Sequence, residues 1–176
     1  MSVGTIVTIV LLITVLILGL VLVRTIFSGS IENINSIDQA VKNEINKLFS
    51  EDSSRTIVVY PPTRSISIKE GEQGGFGFSI RNLESQDKTF RYDVLYDSSS
   101  CNINSASAQN LIVLGKTGNN INIASGRVLE NPILVRFDIS NDVPLCNIRY
   151  NIQVKDQTSG TIYGSTVSVD LEILPQ

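Results

Sequence analysis

The chain has 176 residues, with 14 Lys/Arg, 17 Asp/Glu, two cysteines and no histidine. Its net charge of −3 is small and its basic residues form no stripe, so nothing points to nucleic acid. Without histidine, Ser-His-Asp and Cys-His catalysis and histidine-ligated copper are excluded.

The first 23 residues carry no charged side chain. Residues 3–23, VGTIVTIVLLITVLILGLVLV, would run about 31 Å as a helix, which matches a bilayer core. A cleaved signal peptide fits poorly, because its apolar region is shorter and follows Lys or Arg, whereas only Met1 and Ser2 precede this run. Arg24 flanks the far end, and the positive-inside rule taken alone would leave the following domain in the cytoplasm. A basic leader removed before residue 1 would explain the missing N-terminal charge and allow the opposite orientation.

Residues 28–49 form a second, amphipathic stretch. Ile31, Ile34, Ile37, Val41, Ile45 and Leu48 recur at steps of three and four, one face of a helix. Ser28-Gly29-Ser30 between the two patterns reads as a kink or a melted turn. A continuous helix over 3–49 would be about 70 Å long. The stripe favours bundling with other copies, since a plain anchor does not need it, although a helix docked on the chain's own β domain would carry it too. Residues 50–55, SEDSSR, read as a polar linker.

From residue 56 the apolar period changes to two. Ile66 and Ile68 alternate with serines, and Phe76, Phe78 and Ile80 follow the same rule. So do Phe90 to Tyr96, Ile121 with Ile123, Ile133 to Ile139, Ile148 to Val154, and Val167 to Ile173. With 57–60 and 111–114 this makes about nine strands, each with one buried and one wet face. The predicted core contains Phe78, Ile80, Tyr92, Val94, Ile123, Val135, Phe137, Tyr150, Ile152, Val169 and Leu171. Turn residues separate the strands at Pro61-Pro62, Gly71, 82–88, 97–100, 115–118, Gly126, 141–144 and Gly160, the spacing of an antiparallel Ig-like β-sandwich. The lack of tryptophan argues against an antibody-type domain.

Cys101 and Cys146 are expected to form a disulfide, which implies an oxidising compartment and an extracytoplasmic domain. Closing so long a loop is worth roughly 3–4 kcal/mol in the chain-entropy model. The bridge could staple two sheets or tie a loop to a strand.

No catalytic, cofactor-binding or metal site emerges. The cysteines lack C-x-x-C spacing. The glycine-rich GEQGGFGF leads into a strand, so it reads as a hairpin loop or bulge and not as a phosphate cradle. Glu70 with Glu72 and Asp170 with Glu172 sit at strand spacing on a solvent face. Asp138, Asn141 and Asp142 offer too few donors for calcium. No N-x-Ser/Thr triplet occurs among the fifteen asparagines.

The uncharged start and the extension IENINSIDQAVKNEINKLF resemble the N-terminal helix of mature archaeal type IV pilins and archaellins, and a β-sandwich after that helix resembles archaellin architecture. Bacterial-type pilins carry glutamate at the fifth mature position, where this chain has Thr5; archaeal members often lack it. The resemblance implies a structural, non-enzymatic filament subunit, membrane-anchored before assembly and then packed against copies of itself in a helical homopolymer at the cell surface. Gly4 and Thr8, a small-x-x-x-small pair, together with Thr5, Leu12, Val15, Leu16, Gly19 and Leu22, are the candidate helix-packing residues. The alternative is a single-pass membrane-anchored binding or adhesion domain. The expected fold class is therefore α+β: residues 1–27 an apolar helix, 28–49 its amphipathic extension, 50–55 a linker, and 56–176 the β-sandwich.

Overall fold

A computed structural model describes residues 4, 5, 7, 10–19 and 41–176. The chain divides into two units, residues 1–40 and 41–176.

In the first unit, residues 4, 5, 7 and 10–19 are helical. Thr14 satisfies its own hydroxyl by donating to the Leu11 carbonyl at 2.9 Å, so it makes no polar demand on its surroundings.

The second unit opens with a helix, α1, over residues 41–51. Nine strands follow: β1 Ile57–Tyr60, β2 Ser65–Lys69, β3 Gln73–Ile80, β4 Lys88–Ser99, β5 Ile112–Leu114, β6 Thr117–Ile123, β7 Ile133–Asp138, β8 Asn147–Asp156 and β9 Val167–Leu174. A short helix, α2 Ser105–Asn110, lies between β4 and β5. The strands form a four-stranded sheet in the order β1-β3-β7-β5 and a five-stranded sheet in the order β2-β9-β8-β4-β6.

The two-residue period creates the core. In β8 the buried residues are Ile148, Tyr150, Ile152 and Val154, while Arg149 between them is exposed. All eleven predicted core residues are buried, none more than 6% exposed. Aromatic pairs bridge the sheets: Phe78 of β3 meets Tyr92 of β4 edge-on, and Phe137 of β7 meets Tyr150 of β8, each with centroids 5.1 Å apart. Such pairs add about 0.5–1.5 kcal/mol beyond their buried area. The buried Tyr150 hydroxyl donates to the Ala108 carbonyl at 2.7 Å, which ties α2 to the core.

The expected fold class is corrected. The chain is mostly β, its described helices are short, and among the described residues no helix is long and apolar enough to cross a membrane. The amphipathic stretch reaches residue 51 and enters part of the expected linker. Its described stripe does not prolong an apolar rod: Val41, Ile45, Leu48 and Phe49 are buried with Val58 in a second cluster, packed with Tyr60, Val128 and Leu134. The Ser28-Gly29-Ser30 kink and the stripe positions Ile31, Ile34 and Ile37 lie outside the described residues.

The sandwich is also not wholly antiparallel. β2 runs parallel to β9, from Ser65 beside Asp170 to Lys69 beside Leu174. Alternation fixes which face a residue takes, but not which strand lies beside it.

Candidate interaction surfaces

The first surface is the apolar N-terminal segment. Val7, Val10, Leu11, Leu12, Ile13, Val15, Leu16, Ile17 and Leu18 are each at least 52% exposed. Of the predicted packing residues, Gly4, Thr5, Leu12, Val15, Leu16 and Gly19 are helical and exposed. Leu12, Val15, Leu16 and Gly19 stand three and four residues apart, on one helical face. Exposure does not single that face out, since Leu11 and Leu18 are as open as Leu12. Thr8 and Leu22 lie outside the described residues.

The second surface is the outer face of the four-stranded sheet, where α1 docks. β1 is apolar at every position, and its outward Val58 and Tyr60 meet the helix. In β3, Phe76, Phe78 and Ile80 point inward, so Gly77 points outward beneath α1. A Cβ on Gly77 would lie 2.6 Å from Val41 Cγ1, so the missing side chain is what lets the helix approach. The glycine-rich run is only in part the expected loop: Gly71 makes the turn at φ 77°, but Gly74, Gly75 and Gly77 lie within β3. Arg81 fixes the far end of α1. Its guanidinium donates to the Ser53 carbonyl at 2.8 Å and the Phe49 carbonyl at 3.1 Å, and lies 4.6 Å from the Phe49 ring centroid. A cation at a helix C-terminus also complements the helix dipole.

The third surface is the outer face of the five-stranded sheet, which is wet and charged. Arg149 grips Asp170 through two bonds of 2.7 and 3.0 Å. Lys155 pairs with Asp93, Asn151 donates to Asp97, and Ser67 donates to Glu172. The carboxylates Asp170 and Glu172, adjacent along one face of β9, thus each hold a structural partner. The Arg149 guanidinium keeps Asp170 below the usual carboxylate range.

Asp156 anchors the turn after β8. It accepts from Lys88 at 2.8 Å and from the Thr158 and Ser159 amides at 2.8 and 2.9 Å. Lys88 first, and then these amides, hold its pKa down at about 2. The calcium candidates are engaged elsewhere: Asp138 accepts from Gln73, Asn141 from Gln176, and Asp142 from Ser140. Glu70 lies in the turn after β2, so it does not share a strand face with Glu72.

Cys101 and Cys146 are bonded, with Cα atoms 5.6 Å apart. The bridge joins the end of β4 to the start of β8, neighbours in one sheet, so it does not staple the two sheets together. Ser100 and Asn147 reinforce the corner with two hydrogen bonds. A disulfide points to an oxidising compartment. Sequence reasoning missed α2, which is too short to show a period. Its signal was Asn104, which caps the helix by accepting from Ser107 N at 2.8 Å. Gln109 of α2 then bonds the Val94 carbonyl and the Tyr96 amide of β4, standing in for a neighbouring strand.

No family model matches this chain, and no curated protein does. Among solved structures, part of a family 123 glycoside hydrolase from Clostridium perfringens aligns with a TM-score of 0.43 and 11% identity, over 64% of this chain and 23% of the hydrolase. This chain thus spans about a quarter of that enzyme's length. A PapD-like domain of human CEP192 aligns with a TM-score of 0.42 and 7% identity, over 69% of this chain and 87% of that one. AggA, the major subunit of aggregative adherence fimbriae type I from Escherichia coli, aligns at 0.33 and 10%, over 68% and 93%. At these scores the likenesses assign no function.

Proposed function

We propose that this chain is a non-enzymatic subunit of a cell-surface filament resembling archaeal type IV pilins and archaellins. Its β body is displayed outside the cell and its apolar N-terminal segment is packed among copies of itself. The observation that carries this reading is the contrast in apolar burial. Nine large apolar side chains of the N-terminal segment stand at least 52% exposed, while among the body's large apolar side chains Val113, Leu114, Leu145 and Ile162 are as open. An exposed apolar surface of that extent calls for a partner. The disulfide agrees with an extracellular body. The structural partners of Asp156, Asp170 and Glu172 agree with a role other than catalysis.

Val10→Asp or Leu16→Asp would place an unpaired carboxylate among apolar helices, at a cost of several kcal/mol per subunit. The expected result by electron microscopy is filaments from the wild type and none from either variant, with the body still folded. Wild-type protein that stays dispersed in detergent, and forms no filaments after its removal, would overturn the reading.

The docking of α1 favours a second reading. The described part of the stripe, Val41, Ile45 and Leu48, is consumed by its own sheet and so gives no support to polymerisation. The chain would then be a membrane-anchored surface domain. That reading expects Leu16→Asp to release the protein from membranes, and expects no polymer from the wild type.

A further inference from the structure

We propose that the body is built to carry tension between its two ends, with the β2–β9 pair as a clamp and α1 as a strap that yields first. The proposal deepens the surface-subunit reading and takes from it one premise: the chain is held at its N-terminal segment while the body is loaded.

β2 is the first strand of its sheet in sequence and β9 the last, and they are parallel neighbours over five paired residues. A pull on the chain before β2 draws that strand toward its own start. A pull on Gln176 draws β9 toward its own end. In a parallel pair these directions are opposed along one axis. The ladder is therefore loaded in shear, and its hydrogen bonds resist together instead of one at a time. Two further bonds lengthen it, from the Asp170 amide to the Arg64 carbonyl at 2.8 Å and from the Glu70 amide to the Leu174 carbonyl at 3.0 Å. Ile66 and Ile68 of β2 and Leu171 and Ile173 of β9 bury the inner side of the pair.

The same pull meets α1 in the opposite geometry. Val41 lies over Gly77, which pairs with Tyr60 at the end of β1, whereas Phe49 lies under Arg81, just past the Ile80 that pairs with Ile57 at the start of β1. The helix thus folds back along β1. β1 runs opposite to β3, and the tight turn at Gly71, closed by the Glu72 amide on the Lys69 carbonyl, reverses the chain between β2 and β3. β1 and β2 therefore share a direction. Tension entering at Val41 lifts α1 from its first residue, and Val41, Ile45, Leu48 and Phe49 leave the sheet in succession. Arg81 holds the last turn. Freeing residues 41–56 would lengthen the chain by about 50 Å before the sandwich is challenged.

The disulfide sets how far the body can run. It spans 45 positions of sequence, so about 150 Å of chain between β4 and β8 stays out of the load path while the bond is intact.

Single-molecule pulling on the full chain in detergent tests this, with handles at the two termini. The expected trace has a low-force event releasing about 50 Å and then one high-force rupture, with about 150 Å more released when the disulfide is reduced. Arg81→Ala with Ile45→Ala should abolish the early event and leave the main rupture force unchanged. The decisive control moves the second handle from Gln176 to Ser159, ahead of β9. The end of β8 lies beside the starts of β9 and β2, so the load then enters and leaves the sheet at one end, and the rupture force should fall several-fold. Equal forces on the two axes would overturn the clamp, and a wild-type trace without the early event would overturn the strap. Both outcomes are independent of whether the protein makes filaments, which microscopy reads separately.

Discussion

The two sheets turn opposite kinds of face away from their common core. The outer face of the four-stranded sheet is apolar at one end, with Val58, Tyr60 and Leu134 roofed by α1. The outer face of the five-stranded sheet carries the exposed pair Arg149–Asp170 and the half-buried pair Lys155–Asp93. Both sheets obey the same inward alternation, so the inner pattern cannot distinguish them. The outward residues do. A strand that is apolar on both sides is covered on both sides, whereas a strand with charges outward needs no cover. The difference also ranks the faces in energy, because an apolar roof is worth several kcal/mol and an exposed ion pair little.

The contrast can be attacked by substitution, with the shared core as the reference. Phe137→Ala empties the centre between the sheets, and an expected loss of about 3–5 kcal/mol should appear in urea denaturation. Ile45→Ala removes a side chain 1% exposed in the roof, and about 2–4 kcal/mol should be lost. A loss near zero would mean that α1 merely rests on its sheet.

The next effect depends on pH. Asp156 has its carboxyl depressed from 3.8 to about 2 by Lys88 and two backbone amides. A depressed carboxylate contributes stability that is full above about pH 4 and fades as pH falls through about 2. Wild type should therefore be more stable than Asp156→Asn at pH 6, and their melting temperatures should converge toward pH 2. A constant gap would show that the turn is held by something other than the charge. The smallest effect is expected on the wet face. Arg149→Ala breaks a bidentate but exposed pair, with an expected change within about 1 kcal/mol. A loss equal to that of Ile45→Ala would erase the distinction between the faces.

Much of the body was legible in its residues. Alternation placed seven of the strands and the core, because a strand with one wet face writes its period directly into the sequence; 57–60 and 111–114 show only as short apolar runs. Its limits were physical. Val58 and Tyr60 break the alternation within Ile57–Tyr60, and that break was the available sign that α1 would dock there. The run at Gly74, Gly75 and Gly77 reads as a hairpin loop or bulge because glycine is usual there, while here it clears space for a helix and for a close neighbouring strand. The β2–β9 pairing was not legible, because it joins residues about a hundred positions apart. For the candidate surfaces, the paired cysteines were readable from their number and compartment logic. Their placement at one corner of one sheet depended on which strands are neighbours.

The order of strands also bears on how the protein is made. β2 sits at the border of its sheet with β9 as its one partner, and β9 separates it from β8. A chain emerging from the ribosome therefore has its β2 finished long before any neighbour for that strand exists. Until β9 follows, Ile66 and Ile68 have no ladder to join, and the five-stranded layer ends at β8. The apolar leading segment meets its surroundings well before the body can close. Synthesis thus separates the two events in time: the N-terminal segment is available to whatever receives it while the β body is still incomplete.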